Sequence, residues 1–343
     1  MTKGPQWPDI PQGGIMSLLI KGQLRSDWLA AETEDGEFIR QDSQFRHWIT
    51  PDGTPGPSGE GGFAAEPDRY HLYVCLACPW AHRTLIFRAL KGLENLISVS
   101  VVNPYMLDEG WNFHPYPGST PDHVNGFEFL HQAYTLAEPE YTGIITVPTL
   151  WDKKRRTIVN NESAEIIRMF NSAFDAFIDR RTDYYPKDLR GEIDQVNERI
   201  YENLNNGVYR CGFATEQAAY ERNYDRLFDT LDWVEEHLSR QPYLAGDRIT
   251  EADWRLFTTL VRFDAVYYSH FKCNRRRIID YPNLWEYTRE LYQVPGVAQT
   301  VNMDHIKTHY YGSHEHLNPS GIIPRGPDLD FSRPTARNPG QRS

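Results

Sequence analysis

Residues 70–75, Tyr-His-Leu-Tyr-Val-Cys, are aromatic or aliphatic apart from His71 and predict a buried strand. Two residues later comes Cys78, and Pro79 suits the first position of a helix, where its missing N–H costs nothing. Ala81, Leu85, Ile86, Ala89 and Leu90 then recur at helical spacing until Gly92 ends the run. A second strand is expected at Ile97–Val102, which makes a βαβ unit with a parallel pair and a right-handed crossover. Thr146–Trp151 reads as a third strand and Thr157–Val159 as a fourth, with Asp152–Arg156 as the hairpin turn. Pro148 cannot donate within a central ladder, so it belongs at a strand start and is a candidate cis residue. Asn160 or Asn161 should cap a helix through about Asn171, with Ile166, Ile167 and Phe170 on its inner face.

From about residue 184 the periodicity becomes that of long helices. Tyr220, Tyr224, Leu227, Phe228, Leu231, Val234 and Leu238 form one amphipathic stripe. Thr250-Glu251-Ala252-Asp253 opens the next helix in a near capping box, with Ile249 placed to staple onto Trp254. Trp254, Leu256, Phe257, Leu260, Val261 and Phe263 make that helix apolar almost all round, so it should be central. A further helix is expected at about Leu284–Tyr292. Residues 1–66 read as an irregular arm, most flexible at Thr50–Gly62, and residues 317–343 as an extended, Pro/Gly/Arg-rich tail. The resulting division is an arm (1–66), an α/β domain (67–175) with an insertion at 103–141, an all-α domain (184–316) and the tail. An insertion this long inside a compact domain is usually functional or disordered, and its Gly110-Trp111-Asn112-Phe113 segment, too aromatic for plain disorder, is expected over the active site.

Composition narrows the classes. With 36 basic against 47 acidic residues the net charge is −11, and the basic clusters Lys153–Arg156 and Arg275–Arg277 are short, which disfavours nucleic acid and anionic membrane. Four cysteines, at 75, 78, 211 and 273, are too few for a disulfide framework and suit a reducing compartment. Ile15–Ile20 is too short for a signal segment and no run approaches a membrane span. A soluble, cytoplasmic, globular protein is expected. Aromatic residues, at 13%, are enough for a core plus an aromatic-lined pocket.

The candidate chemistry starts at Cys78. A cysteine between a strand end and a helix start faces unpaired N–H groups and the positive end of the helix dipole, which favour thiolate over thiol. Cys75-Leu76-Ala77-Cys78 is formally C-x-x-C, but Ala81 occupies the helix position of a dithiol partner, so the site reads as monothiol and Cys75 as packing. His82 and Arg83 read as structural, with Arg83 also able to support the thiolate. His305, His309, His314 and His316 lack the cysteine pair or His-Glu-x-x-His spacing of a metal site, and neither Gly-x-Gly-x-x-Gly nor a P-loop is present. Neither metal nor nucleotide is expected.

A thioredoxin-like half followed by an all-α half is the layout of glutathione transferases. Cys78-Pro79-Trp80-Ala81-His82-Arg83, Gly110-Trp111-Asn112-Phe113, Thr146-Val147-Pro148, Asn161-Glu162-Ser163 and the stretch His305–His316 together resemble the glutathionyl-hydroquinone reductases, the Xi class of that superfamily, over residues 35–328. Two positions depart from the family pattern: Ile144 stands where the family usually has Arg, and Cys75 where it more often has Ser. The resemblance implies that Cys78 is the nucleophile and glutathione the co-substrate. It also implies that Trp111, Val147, Pro148, Glu162 and Ser163 hold glutathione, that Tyr209 and Tyr310 line the quinone side, and that the protein is a homodimer. On this reading Val147 pairs with the cysteinyl backbone of glutathione like an added strand. Glu162 and Ser163, at a helix start, take the γ-glutamyl end. Two alternatives remain at this point: an omega-type thiol transferase or dehydroascorbate reductase, and a non-catalytic protein that binds aromatic ligands.

Overall fold

The computed structural model describes residues 18–25, 33–106 and 109–337. Ile15–Ser17 of the weak apolar segment, much of the arm and the last six residues of the tail lie outside the described residues. The arm contributes four short strands, β1 (Leu18–Ile20), β2 (Gln23–Arg25), β3 (Thr33–Glu34) and β4 (Glu37–Phe38). The α/β half follows with β5 (Tyr70–Val74), α1 (Pro79–Leu90), β6 (Ile97–Val101), α2 (His131–Ala137), β7 (Gly143–Ile144), β8 (Thr149–Asp152), β9 (Thr157–Asn160) and α3 (Ser163–Ser172). The helical half comprises α4 (Arg190–Ile200), α5 (Gly207–Gly212), α6 (Gln217–Arg240), α7 (Glu251–Arg262), α8 (Pro282–Tyr292) and α9 (Met303–Ser313).

The central sheet runs β6-β5-β8-β9, with β5 parallel to β6 and antiparallel to β8, and β8 antiparallel to β9. All five residues of β5 are buried, which explains a continuous rather than alternating apolar run. His71, the polar member, directs Nδ1 to the Ser98 hydroxyl at 2.7 Å, and burial pushes its imidazole down to about 4. Helix α1 packs against α3 and, across to the helical half, against α7. Every residue of α7 is buried, the charged Glu251, Asp253, Arg255 and Arg262 as well as the apolar run, so the helix is central as expected although it is not apolar all round. The backbone N–H of Thr250 donates to the Asp253 carboxylate at 2.7 Å, the capping box expected there.

Three expectations are revised. The arm is not irregular throughout: β1 pairs antiparallel with β7, joining Leu18 to Ile144 and Leu19 to Gly143. Nor is Thr50–Gly62 loose, because Thr50 exchanges backbone hydrogen bonds with Phe63 and Ala65, Gly62 donates to Gly53 and the Trp48 indole donates to Ser58. At the start of α3 the cap is Glu162 rather than Asn160 or Asn161. Its carboxylate accepts from the Ala164 N–H at 2.9 Å, while Asn160 accepts from the N–H of Glu162 at 2.7 Å. The described part of the tail has no regular structure but packs on α8. There Phe331 is buried beside Trp285 and Tyr292, and Arg337 pairs with Glu290 at 2.8 Å. Among the described residues no helix is long and apolar enough to cross a membrane.

Candidate active site

A cleft opens between the two halves. Cys78, Trp111, Val147, Pro148, Glu162, Ser163, Tyr209 and Tyr310, all eight residues singled out in the sequence, lie on its wall. Cys78 is the N-cap of α1, set there by the turn after β5 and the proline at N1. The Val147–Pro148 peptide is cis, and the Cys78 thiol donates to the Val147 carbonyl at 3.3 Å. Cys75 is fully buried and its thiol is pushed up to about 12 by that burial, in keeping with a packing role. Among the described residues all four cysteines are free.

The ionisation of Cys78 differs from expectation. Burial raises its thiol above the ordinary value; the N–H groups of Ala81 and Trp80 and the cations Arg262 and Arg40 oppose that shift without reversing it. The helix-start argument therefore identifies real stabilising groups but omits the larger cost of taking a charged sulfur out of water. The cation that holds this corner is Arg262 of α7 rather than Arg83. Its guanidinium donates to the carbonyls of Ala77 at 2.8 Å and Leu76 at 3.1 Å, just ahead of Cys78, to Thr258 at 2.9 Å and to His82 Nδ1 at 2.8 Å. His82 thus carries its proton on Nε2, which donates to the Thr300 hydroxyl at 2.8 Å. Arg83 is buried off the cleft wall and donates to Asn205 at 2.8 Å. Two arginines, Arg255 and Arg262, stand among the apolar residues of α7, and nothing local in the sequence distinguishes the one that reaches this corner.

On the far wall Tyr209 and Tyr310 share a hydroxyl–hydroxyl hydrogen bond of 2.5 Å, and Tyr267, absent from the sequence-based list, adds a third phenol 3.1 Å from Tyr310. Burial raises all three phenols, so they remain neutral and able to donate at neutral pH. Trp111 is held by the insertion: Gly110 adopts φ +82°, open to glycine at little cost, and Asn112 ties the loop by donating to the carbonyls of Tyr105 and Gly110. The indole stacks on His309 of α9 with centroids 5.0 Å apart. His309 bonds the Pro104 carbonyl through Nδ1 at 2.9 Å, and burial pushes its imidazole down to about 4. His305 bonds the Pro117 carbonyl and His314 bonds His270. Among the described residues no three His, Cys, Asp or Glu side chains converge as a metal site.

Glu162 and Ser163 place a carboxylate and a hydroxyl at one end of the cleft, where the Glu162 carboxylate already accepts from the Ala164 N–H. Ser43 of the arm donates to the Glu162 carboxylate at 3.3 Å. The arm thus supplies a wall of the site that sequence reasoning did not anticipate, with Arg40, Asp42 and Ser43 all lining the cleft.

Comparison with known proteins gives the family. Residues 77–173 match the glutathione S-transferase N-terminal domain family and residues 217–290 the glutathione S-transferase C-terminal domain family. The chain is 56% identical over 324 residues to the glutathionyl-hydroquinone reductase YqjG of Escherichia coli K12, spanning 94% of this chain and 99% of that protein. The chain belongs to the glutathionyl-hydroquinone reductases, the Xi class of the glutathione S-transferase superfamily. It is also 55% identical over 312 residues to the glutathionyl-hydroquinone reductase PcpF of Sphingobium chlorophenolicum, covering 91% of this chain and 96% of PcpF. Among solved structures, the glutathione-bound structure of YqjG superposes with a TM-score of 0.86 at 55% identity, over 93% of this chain and 98% of that one. The Xi-class transferase of Natrialba magadii does so with a TM-score of 0.86 at 49% identity, over 94% and 97%. The thioredoxin-like and all-α halves expected from the sequence are therefore those of this superfamily.

Proposed function

We propose that the protein reduces glutathionyl-hydroquinones to hydroquinones, with glutathione as co-substrate and Cys78 as nucleophile. The Cys78 thiolate attacks the glutathionyl sulfur; an S–S bond forms, the carbon–sulfur bond breaks, and its electron pair goes to the ring carbon, which takes up a proton. Cys78 is thereby oxidised to a mixed disulfide and the ring leaves as hydroquinone. A second glutathione thiolate attacks the glutathionyl sulfur of that disulfide, which releases oxidised glutathione and restores the Cys78 thiolate. Tyr209 and Tyr310 donate hydrogen bonds to the ring oxygens as charge develops there. Trp111, Val147, Pro148, Glu162 and Ser163 hold glutathione, the last two at its γ-glutamyl end. A substrate N–H that bonds the Val147 carbonyl competes for the acceptor now taken by the Cys78 thiol, so ionisation of the sulfur is coupled to binding.

The observation that carries this reading is the Cys78–Val147 contact in one cleft with the bonded phenols of Tyr209 and Tyr310. On the same reading the α/β half, residues 67–175, binds glutathione and the helical half, residues 184–316, supplies the quinone side. The four free cysteines favour a reducing cytoplasm, and the superfamily likeness favours a homodimer. The test is C78S, assayed for turnover of a glutathionyl-hydroquinone and, by calorimetry, for glutathione binding. Turnover is expected to vanish while binding persists. In addition, wild type incubated with oxidised glutathione should gain one glutathionyl adduct that C78S lacks. Retained turnover in C78S would overturn the mechanism.

A further inference from the structure

Glutathione carries two carboxylates and one ammonium, and the site as read above provides for only one carboxylate, at the start of α3. Among the described residues Arg40 is the only arginine or lysine on the cleft wall, and it lines the same side recess as Ile144. The cation that the wall offers to a second carboxylate therefore comes, among the described residues, from the N-terminal arm.

The side chain of Arg40 is fixed on two of its three aspects. Its Nε donates to the Asn206 side-chain carbonyl at 2.8 Å. Its guanidinium carbon lies 4.7 Å from the Trp80 ring centroid, 5.0 Å from that of Tyr209 and 5.5 Å from that of Phe38. Aromatic contacts engage the face of a guanidinium and leave its N–H edges free. Among the described residues Arg40 makes no ion pair, and its two terminal nitrogens donate to no protein acceptor. The remaining edge is a bidentate donor fork suited to a carboxylate, held half-buried where water competes less than at an open surface. Of the acids nearby, Glu162 is occupied in capping α3, and Asp42, also on the wall, is exposed and unpaired with Arg40.

We propose that Arg40 binds the glycyl carboxylate of glutathione. This rests on the glutathione reading of the cleft and adds to it a residue from a part of the chain outside the α/β half. A charge-assisted bidentate contact at a half-exposed position should contribute about tenfold in affinity.

Full-length wild type, R40Q and R40K are titrated calorimetrically with glutathione and with its glycyl amide, which lacks only the terminal charge. Wild type should bind glutathione about tenfold more tightly than the amide, and R40Q should bind both alike, near the affinity of wild type for the amide. R40K should recover part of the preference, and it reports on the charge if R40Q fails to fold. In turnover, R40Q should raise KM for glutathione with a smaller change in kcat. Equal weakening of both ligands in R40Q, no discrimination by wild type, or a loss confined to kcat would overturn the assignment. Amide discrimination that depends on Arg40 in a protein without turnover on glutathionyl-hydroquinones would keep it and overturn the reductase reading instead.

Discussion

Replacing Arg262 by Met keeps much of the length and apolar stem of the side chain but removes the hydrogen bonds of its guanidinium to four acceptors: the carbonyls of Leu76, Ala77 and Thr258, and Nδ1 of His82. A hydrogen bond contributes about 1 kcal/mol net, more when the donor is charged, while the removed guanidinium no longer bears its own desolvation cost. Four contacts at about 1 kcal/mol each give a loss of about 4 kcal/mol for R262M. In urea, with an m-value of about 3 kcal/mol/M, the unfolding midpoint should fall by more than about 1 M. The same change withdraws a cation that lowers the Cys78 thiol, so the pH midpoint for alkylation of Cys78 should move upward. R262K separates the two effects: it keeps the charge and thus most of the thiol shift, but cannot reach all four acceptors and loses part of the stability. A change below about 1 kcal/mol in R262M, or an alkylation midpoint that stays put or falls, would refute the claim that Arg262 both joins the two halves and tunes the sulfur.

Two further outcomes follow from buried groups. Burial pushes His71, His270 and His309 down to about 4, against an unfolded value of about 6.5. Between those values the unfolded chain binds more protons, so stability is complete above about pH 6.5 and declines as pH falls toward 4. With up to about 3 kcal/mol at stake per histidine, acid unfolding followed by circular dichroism should reach its midpoint above about pH 4. A flat stability profile from neutral pH to about 4.5 would contradict this. In Y310F the shared hydroxyl between Tyr209 and Tyr267 disappears; kcat for a glutathionyl-hydroquinone should fall about 100-fold with KM for glutathione little changed, whereas a matching rise in KM would count against a role on the quinone side.

Features of the site that are local in sequence could be read from it. The turn, the proline at N1 and the apolar spacing after it locate Cys78 without any tertiary information, and Pro148 announces itself because it cannot serve inside the ladder. The start of α3 was legible only to within two residues, since Asn160, Asn161, Glu162 and Ser163 can all cap and only the packed geometry selects Glu162. What escaped comes from far along the chain: Arg262 meets Ala77 across 185 positions and Arg40 meets Asn206 across 166. The direction in which the Cys78 thiol shifts is hidden from the sequence for a related reason. Dipole and N–H groups are visible in a motif, whereas the desolvation that outweighs them depends on how the rest of the protein closes around the sulfur.

The docking of Arg40 on Asn206 has a bearing on biosynthesis. The first stretch of this wall to leave the ribosome has no seat until Trp80, Asn206 and Tyr209 have been made and folded, and the phenol opposite waits for Tyr310. Long-separation contacts close late because the chain between them must first be ordered. During translation, then, the nascent polypeptide holds its cysteine helix early but has no finished tripeptide seat until the stretch up to Tyr209 has emerged, and no complete set of phenols until α9 follows.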